Sequence, residues 1–75
     1  MRRISDRIPV DISVVIPVNN EAEALPAFYR ALAQSLDRLP QSAEIIFADD
    51  GSTDGSADRL DAIAAGDPRV RVLHL

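Results

Sequence analysis

Asp49-Asp50-Gly51-Ser52-Thr53-Asp54 is the stretch of this chain whose residue types and spacing could do chemistry. Two adjacent carboxylates repel each other and lose hydration when a fold gathers them. They persist mainly where donors, a cation or a ligand offset that cost. The stretch follows an apolar run, Ile45-Ile46-Phe47-Ala48, and precedes a helical pattern. It therefore sits where a strand ends and a helix begins, and open α/β sheets bind ligands at the carboxyl ends of their strands. Gly51 lets the backbone turn close beneath a ligand. The same composition also suits a plain strand-to-helix turn, because Asp, Gly and Ser are favoured in turns.

The elements that must position this stretch alternate in type. Ile12 and Val14-Val15-Ile16 form a short β-branched run without strict alternation, which suits a strand buried on both faces of a parallel sheet. Pro17 cannot continue a central ladder and stops it. Val18-Asn19-Asn20-Glu21 is the turn, with Asn20 as helix cap and Glu23 at capping-box spacing. Leu25, Phe28, Leu32, Leu36 and Leu39 then recur at intervals of three and four, one apolar face of a helix ending near Arg38. Pro26 is comfortable only in a first turn, so the regular helix begins nearer Glu23 or bends there. Glu44 to Ala48 reads as the second strand. Ser52 or Thr53 caps a second helix, with Asp54 in its first turn and Ala57, Leu60, Ile63 and Ala64 as its buried stripe. Gly66 ends that helix in the left-handed position, and Asp67-Pro68 turns the chain. The alternation from Arg69 to Leu75 predicts a strand near the sheet edge, with Arg69 and Arg71 on a solvated face. Phe28 and Tyr29 read as core and core edge, and His74 as a structural histidine on an apolar strand.

This order predicts an α/β fold, a β-α-β-α-β half of a Rossmann-like domain with a parallel three-stranded sheet ordered 3-2-1. Two regions follow: a flexible basic N-terminus over residues 1–10 and an incomplete domain over residues 11–75. The far edge of the first strand is left open, an aggregation risk. The 75 residues thus read as the front of something longer, or as a chain that needs a partner.

Composition narrows the classes. The net charge is −4, all eight basic residues are Arg, and beyond the first ten residues the chain is acidic, which argues against a nucleic-acid groove. Without Cys there is neither a disulfide framework nor a thiolate metal site. No apolar run approaches the ~20 residues of a membrane span, and the start lacks the apolar core of a signal peptide. The expected location is cytoplasmic.

Val15-Ile16-Pro17-Val18-Asn19-Asn20-Glu21, followed about thirty residues later by Asp49-Asp50-Gly51-Ser52-Thr53-Asp54, resembles the opening of family 2 glycosyltransferases of GT-A fold. The family pattern is an apolar strand, Pro-x-Tyr-Asn-Glu, a helix, and an apolar strand ending in Asp-Asp-Gly-Ser-x-Asp. The Leu25-to-Tyr29 run leans toward the branch resembling dolichyl-phosphate mannosyltransferase and the bactoprenol glucosyltransferases. The resemblance implies that Pro17 and Glu21 border the nucleotide, that Ala48 meets the base through its backbone, and that Asp50 accepts hydrogen bonds from a uracil or guanine edge. Asp49 would order the loop, and Asp54 would start the helix. Asn19 stands where the pattern has an aromatic residue, and it supplies no comparable π-face for the base. A carboxylate accepts hydrogen bonds only, so Asp50 fits the N–H of a pyrimidine-dione or guanine.

The implied parent transfers a hexose from a UDP- or GDP-sugar to an acceptor such as polyprenyl phosphate, at the cytoplasmic face of a membrane, and needs Mg or Mn. Family members hold that metal with a later Asp-x-Asp motif, and none occurs here. No catalytic residue and no metal ligand are assigned, and the 75 residues alone are expected to be inactive. The missing remainder of the domain, or another chain, would cover the open edge.

Other classes fit less well. A receiver-like magnesium-binding domain would need a Lys near the phosphoryl group, and the chain has no Lys. A dinucleotide-binding module would need Gly-x-Gly-x-x-Gly after the first strand. A non-catalytic truncated product, or an α/β module that binds a partner, is the remaining alternative.

Overall fold

The structure, a computed structural model, describes residues 10–75. Apart from Val10, the expected flexible N-terminus lies outside the described residues. The chain forms β1 (Ile12–Val18), α1 (Leu25–Asp37), β2 (Ala43–Asp49), α2 (Ser56–Gly66) and β3 (Val70–His74). The strands are parallel and ordered β1-β2-β3, the expected 3-2-1 order. Register runs from Ile12 opposite Ala43 to Val18 opposite Asp49, and from Ile45 opposite Val70 to Asp49 opposite His74. Val18, Asp49 and His74 therefore form one row at the carboxyl end of the sheet.

Both crossovers step in the same direction. Right-handed connections then place both helices on one face of the sheet. The core lies between them and that face. Ile45, Phe47 and Leu60 are fully buried, joined by Val18, Leu25, Leu36, Ala43 and Val70. Each of these side chains larger than Ala43 contributes about 1.5–3 kcal/mol of apolar burial.

Among the described residues the opposite face carries no helix, which corrects the expectation that β1 is buried on both faces. Along β1, Ile12, Val14 and Ile16 are half-buried, while Ser13, Val15 and Pro17 alternate with them as exposed positions. Val15 is 62% exposed. Glu44 on this face is nevertheless buried, and the Ser13 hydroxyl donates to its Oε1 at 2.7 Å.

Several helix boundaries differ from expectation. Asn20 does not cap α1. It adopts a left-handed conformation (φ 53°), and the residue before the helix is Ala24, with no side-chain cap. Pro26 falls in the first turn, where its missing N–H costs nothing. Neither Ser52 nor Thr53 caps α2. Gly55 (φ 92°) occupies that position, and Asp54 Oδ1 accepts from the Ser56 N–H at 3.0 Å. Gly66 is the last helical residue and has no positive φ, and Asp67 leaves the helix extended. Phe28 is 47% exposed and is not core.

Arg69 is not a merely solvated residue either. Its guanidinium donates to both Asp67 oxygens and to Asp37, and the Tyr29 hydroxyl donates to Asp67 Oδ2 at 2.6 Å. This clasp joins α1 to the segment between α2 and β3, at the end of the sheet remote from the acidic stretch. Arg71 is half-buried.

Candidate functional site

The loops after β1 and β2 meet at the carboxyl end of the sheet. The Asp50 N–H donates to the Val18 carbonyl at 2.9 Å, carrying the ladder one residue past Asp49. The Asn19 side chain donates from Nδ2 to the Asp50 carbonyl. Beyond this, side chains of the second loop take up backbone donors of the first. The Ser52 hydroxyl accepts from the Asn20 N–H at 3.0 Å, and the Ser56 hydroxyl from the Glu21 N–H at 3.0 Å. Asp54 Oδ2 accepts from the Ala22 N–H at 3.1 Å. In return, Asn20 Oδ1 accepts from the Thr53 N–H at 2.8 Å.

These bonds give Asn20, Ser52, Asp54 and Ser56 work within the protein, a role that sequence reasoning missed. Residue type pointed to turns and caps, but partners 32 to 35 positions away leave no local signal. The hydrogen bonds from Ser56 and from the Ala22 backbone hold the Asp54 carboxyl below its usual range. That fits an acid already engaged by the protein.

The two adjacent acids part company. Successive side chains of a strand point to opposite faces. Asp49 lies on the helix-covered face and is buried. Its Oδ1 accepts from the Ser52 N–H at 3.3 Å, and its Oδ2 stands 3.2 Å from His74 Nδ1. The hydrogen bonds from Ser52, and secondarily from His74, hold this carboxyl below its usual range against the opposing effect of burial. Asp50 continues the alternation to the other side and is exposed, and among the described residues no group donates to its carboxylate. Donors on Asp49 and solvent around Asp50, on opposite faces, offset the expected repulsion between neighbours.

The remaining candidates fall around Asp50. Pro17 lies opposite Ala48, and Ala48 opposite Leu73, in a row across the helix-free face at its carboxyl end. Asn19 and Glu21 are exposed in the first loop, where Glu21 Oε1 accepts from the Asn19 N–H at 3.3 Å. Pro17, Glu21, Leu25 and Phe28 line a depression of about 120 Å³. Small-molecule pockets usually measure about 300–1,000 Å³, so this depression is smaller than a pocket that would enclose a nucleotide. Among the described residues no three His, Cys, Asp or Glu side chains are grouped to hold a metal ion. No helix of the described residues is long and apolar enough to cross a membrane.

A profile of the Glycosyl transferase family 2 matches residues 13–75. The chain is 42% identical over 59 residues to a bactoprenol glucosyl transferase of Shigella phage SfV, covering 79% of this chain and 19% of that protein. It is 53% identical over 53 residues to the undecaprenyl-phosphate 4-deoxy-4-formamido-L-arabinose transferase of Serratia proteamaculans (strain 568), covering 71% of this chain and 16% of the relative. The corresponding transferase of Yersinia pestis (strain Pestoides F) is 45% identical over 64 residues, covering 85% and 19%. The chain thus spans less than a fifth of the length of the relatives it matches.

Proposed function

The chain belongs to glycosyltransferase family 2, and from that premise we propose that it is the nucleotide-sugar-binding front of an enzyme that moves a hexose from a UDP- or GDP-sugar to polyprenyl phosphate. The observation that carries this reading is the carboxylate of Asp50. It is exposed at the mouth of a parallel sheet, on a loop fixed by cross-loop hydrogen bonds, with no donor from the described residues. A fixed acceptor without a donor among the described residues suits an N–H edge of uracil or guanine. Pro17 and Ala48 supply an apolar floor beside it, and Asn19 and Glu21 the adjoining polar rim. The acceptor class rests on the relatives, a bactoprenol glucosyl transferase and an undecaprenyl-phosphate 4-deoxy-4-formamido-L-arabinose transferase.

The metal expected of the parent, Mg or Mn, finds no ligand set among the described residues. Its ligands belong to a further segment, and this chain's part in the reaction is to hold and orient the nucleotide, without turnover of its own. The helix-free face and the open edge of β1 are where the remainder of the domain packs.

Asp50→Asn tests the assignment. Removing a charged acceptor should weaken UDP or GDP binding by about tenfold to hundredfold, read by calorimetry, with unchanged unfolding. Equal affinity in the variant would remove Asp50 from the site.

A further inference from the structure

The row that closes the sheet contains a group the nucleotide reading leaves unused. His74 Nδ1 stands 3.2 Å from Asp49 Oδ2, and its Nε2 stands 2.9 Å from Asp61 Oδ1. A neutral imidazole has one donor and one acceptor nitrogen, so it can donate to only one of these carboxylates. Only the imidazolium donates to both. The acceptors belong to different elements, Asp49 to the end of β2 and Asp61 to α2. Asp49 also takes the Ser52 N–H on its other oxygen, and its carbonyl accepts from the Leu75 N–H at 2.9 Å. One buried carboxylate therefore holds both the histidine and the turn in which Asp50 stands.

We propose that His74 is a positioning residue for the candidate nucleotide loop: its imidazolium ties Asp49 to Asp61, and thereby sets the course of the Asp49–Ser52 turn and the presentation of Asp50. The ligand consequence rests on the reading of Asp50 given above, while the strut itself does not. Loss of the ring proton turns one nitrogen lone pair toward a carboxylate. If that carboxylate is Asp49, a buried charge loses a donor and the turn loses its fixed support. The charged groups within hydrogen-bond reach of the ring are Asp49 from β2 and Asp61 from α2. Asp58 and Arg59 of α2 make no such contact. Arg71 of β3 falls on the opposite sheet face by alternation.

The hydrogen bond to Asp61, followed by that to Asp49, raises the imidazole above its ordinary 6.5. A raised histidine gives its full support below the ordinary value and loses it as pH rises through the raised one. The ordered turn therefore belongs to the acidic and neutral side.

The test follows the ring of His74 and the amides of Asp50, Gly51 and Ser52 by NMR from about pH 5 to about pH 8.5, a range that brackets imidazole titration. UDP and GDP serve as probes at both ends, and Asp61→Asn and His74→Gln as variants. The turn amides should move with the midpoint of the ring, above its ordinary value. Asp61→Asn should lower that midpoint, and His74→Gln should abolish the step. Nucleotide binding should weaken about fivefold across the same step in the wild type and not in His74→Gln, the ionisation of the nucleotide being common to both. Turn amides that stay flat while the ring titrates would overturn the strut, as would an unchanged pH profile in His74→Gln. If that variant fails to fold, Asp61→Asn decides, since Asp61 is exposed. If the turn follows the ring but neither nucleotide binds at either pH, the strut stands and the nucleotide reading of Asp50 falls.

Discussion

Asp49 and Asp50 differ in role because strand alternation gives them different surroundings. Asp49 meets Ser52 and His74 on the covered face, and Asp50 meets no donor among the described residues. Asn20 shows the same economy on the opposite loop. It accepts the left-handed conformation that Asn tolerates better than most residues, and it spends its side-chain oxygen on Thr53. Asn20→Ala should cost about 1–3 kcal/mol, from the lost acceptor and the strain of Ala at positive φ. Asn20→Gly should recover the strain part, about 1 kcal/mol, and leave the rest. Urea unfolding of the pair measures both, and equal losses in the two variants would show that backbone conformation plays no part. The sequence made the Asp pair visible as candidate chemistry, since two adjacent acids after an apolar run need an explanation. It also identified Asn20 as a turn residue. It could not show that Asn20 serves the other loop, because that pairing exists only once β1 and β2 lie side by side in this register.

The five elements and their order were legible from apolar periodicity and from turn residues, as Leu25, Leu36 and Leu60 in the core confirm. Helix starts were less so. Asp54 and Gly55 do together what a single Ser or Thr cap was expected to do, and Pro26 set the start of α1 more reliably than the capping-box spacing. Arg69 looked solvated because alternation predicts direction and says nothing of partners arriving from α1. The clasp it forms has a consequence in acid. Asp67 is buried, and the Arg69 guanidinium and the Tyr29 hydroxyl hold its carboxyl at about 2, against an ordinary 3.8. A depressed carboxyl stabilises the fold fully above its ordinary value, and that support drains away as pH falls through the depressed one. The difference corresponds to about 2 kcal/mol. Chemical unfolding measured from about pH 6 down to about pH 2 should show this loss in the wild type, and Asp67→Asn should flatten it. A variant as acid-sensitive as the wild type would place the sensitivity elsewhere.

At the scale of the molecule, right-handed crossovers that step one way put both helices of the described residues on one face of the sheet. Apolar strands without strict alternation suggested burial on both faces, and such a pattern is satisfied only when another layer is present. Val15 at 62%, Leu73 at 39% and Leu75 at 76% exposure show what that layer would cover. Val15 also lies on β1, an edge strand of the sheet. An apolar side chain on an unpaired edge favours pairing between copies. The isolated chain should therefore sediment as species heavier than 8.1 kDa, with the heavier fraction growing as concentration rises. Val15→Lys should shift it back toward the monomer, because a charge at an edge position opposes edge-to-edge pairing. The substitution should change stability by only about 0.5 kcal/mol, since the side chain is already largely in water. Analytical ultracentrifugation of both chains, beside urea unfolding, separates the two effects. A wild type that remains monomeric at every concentration would mean that the helix-free face is shielded within the chain itself, and the case for a missing covering layer would lose its physical basis.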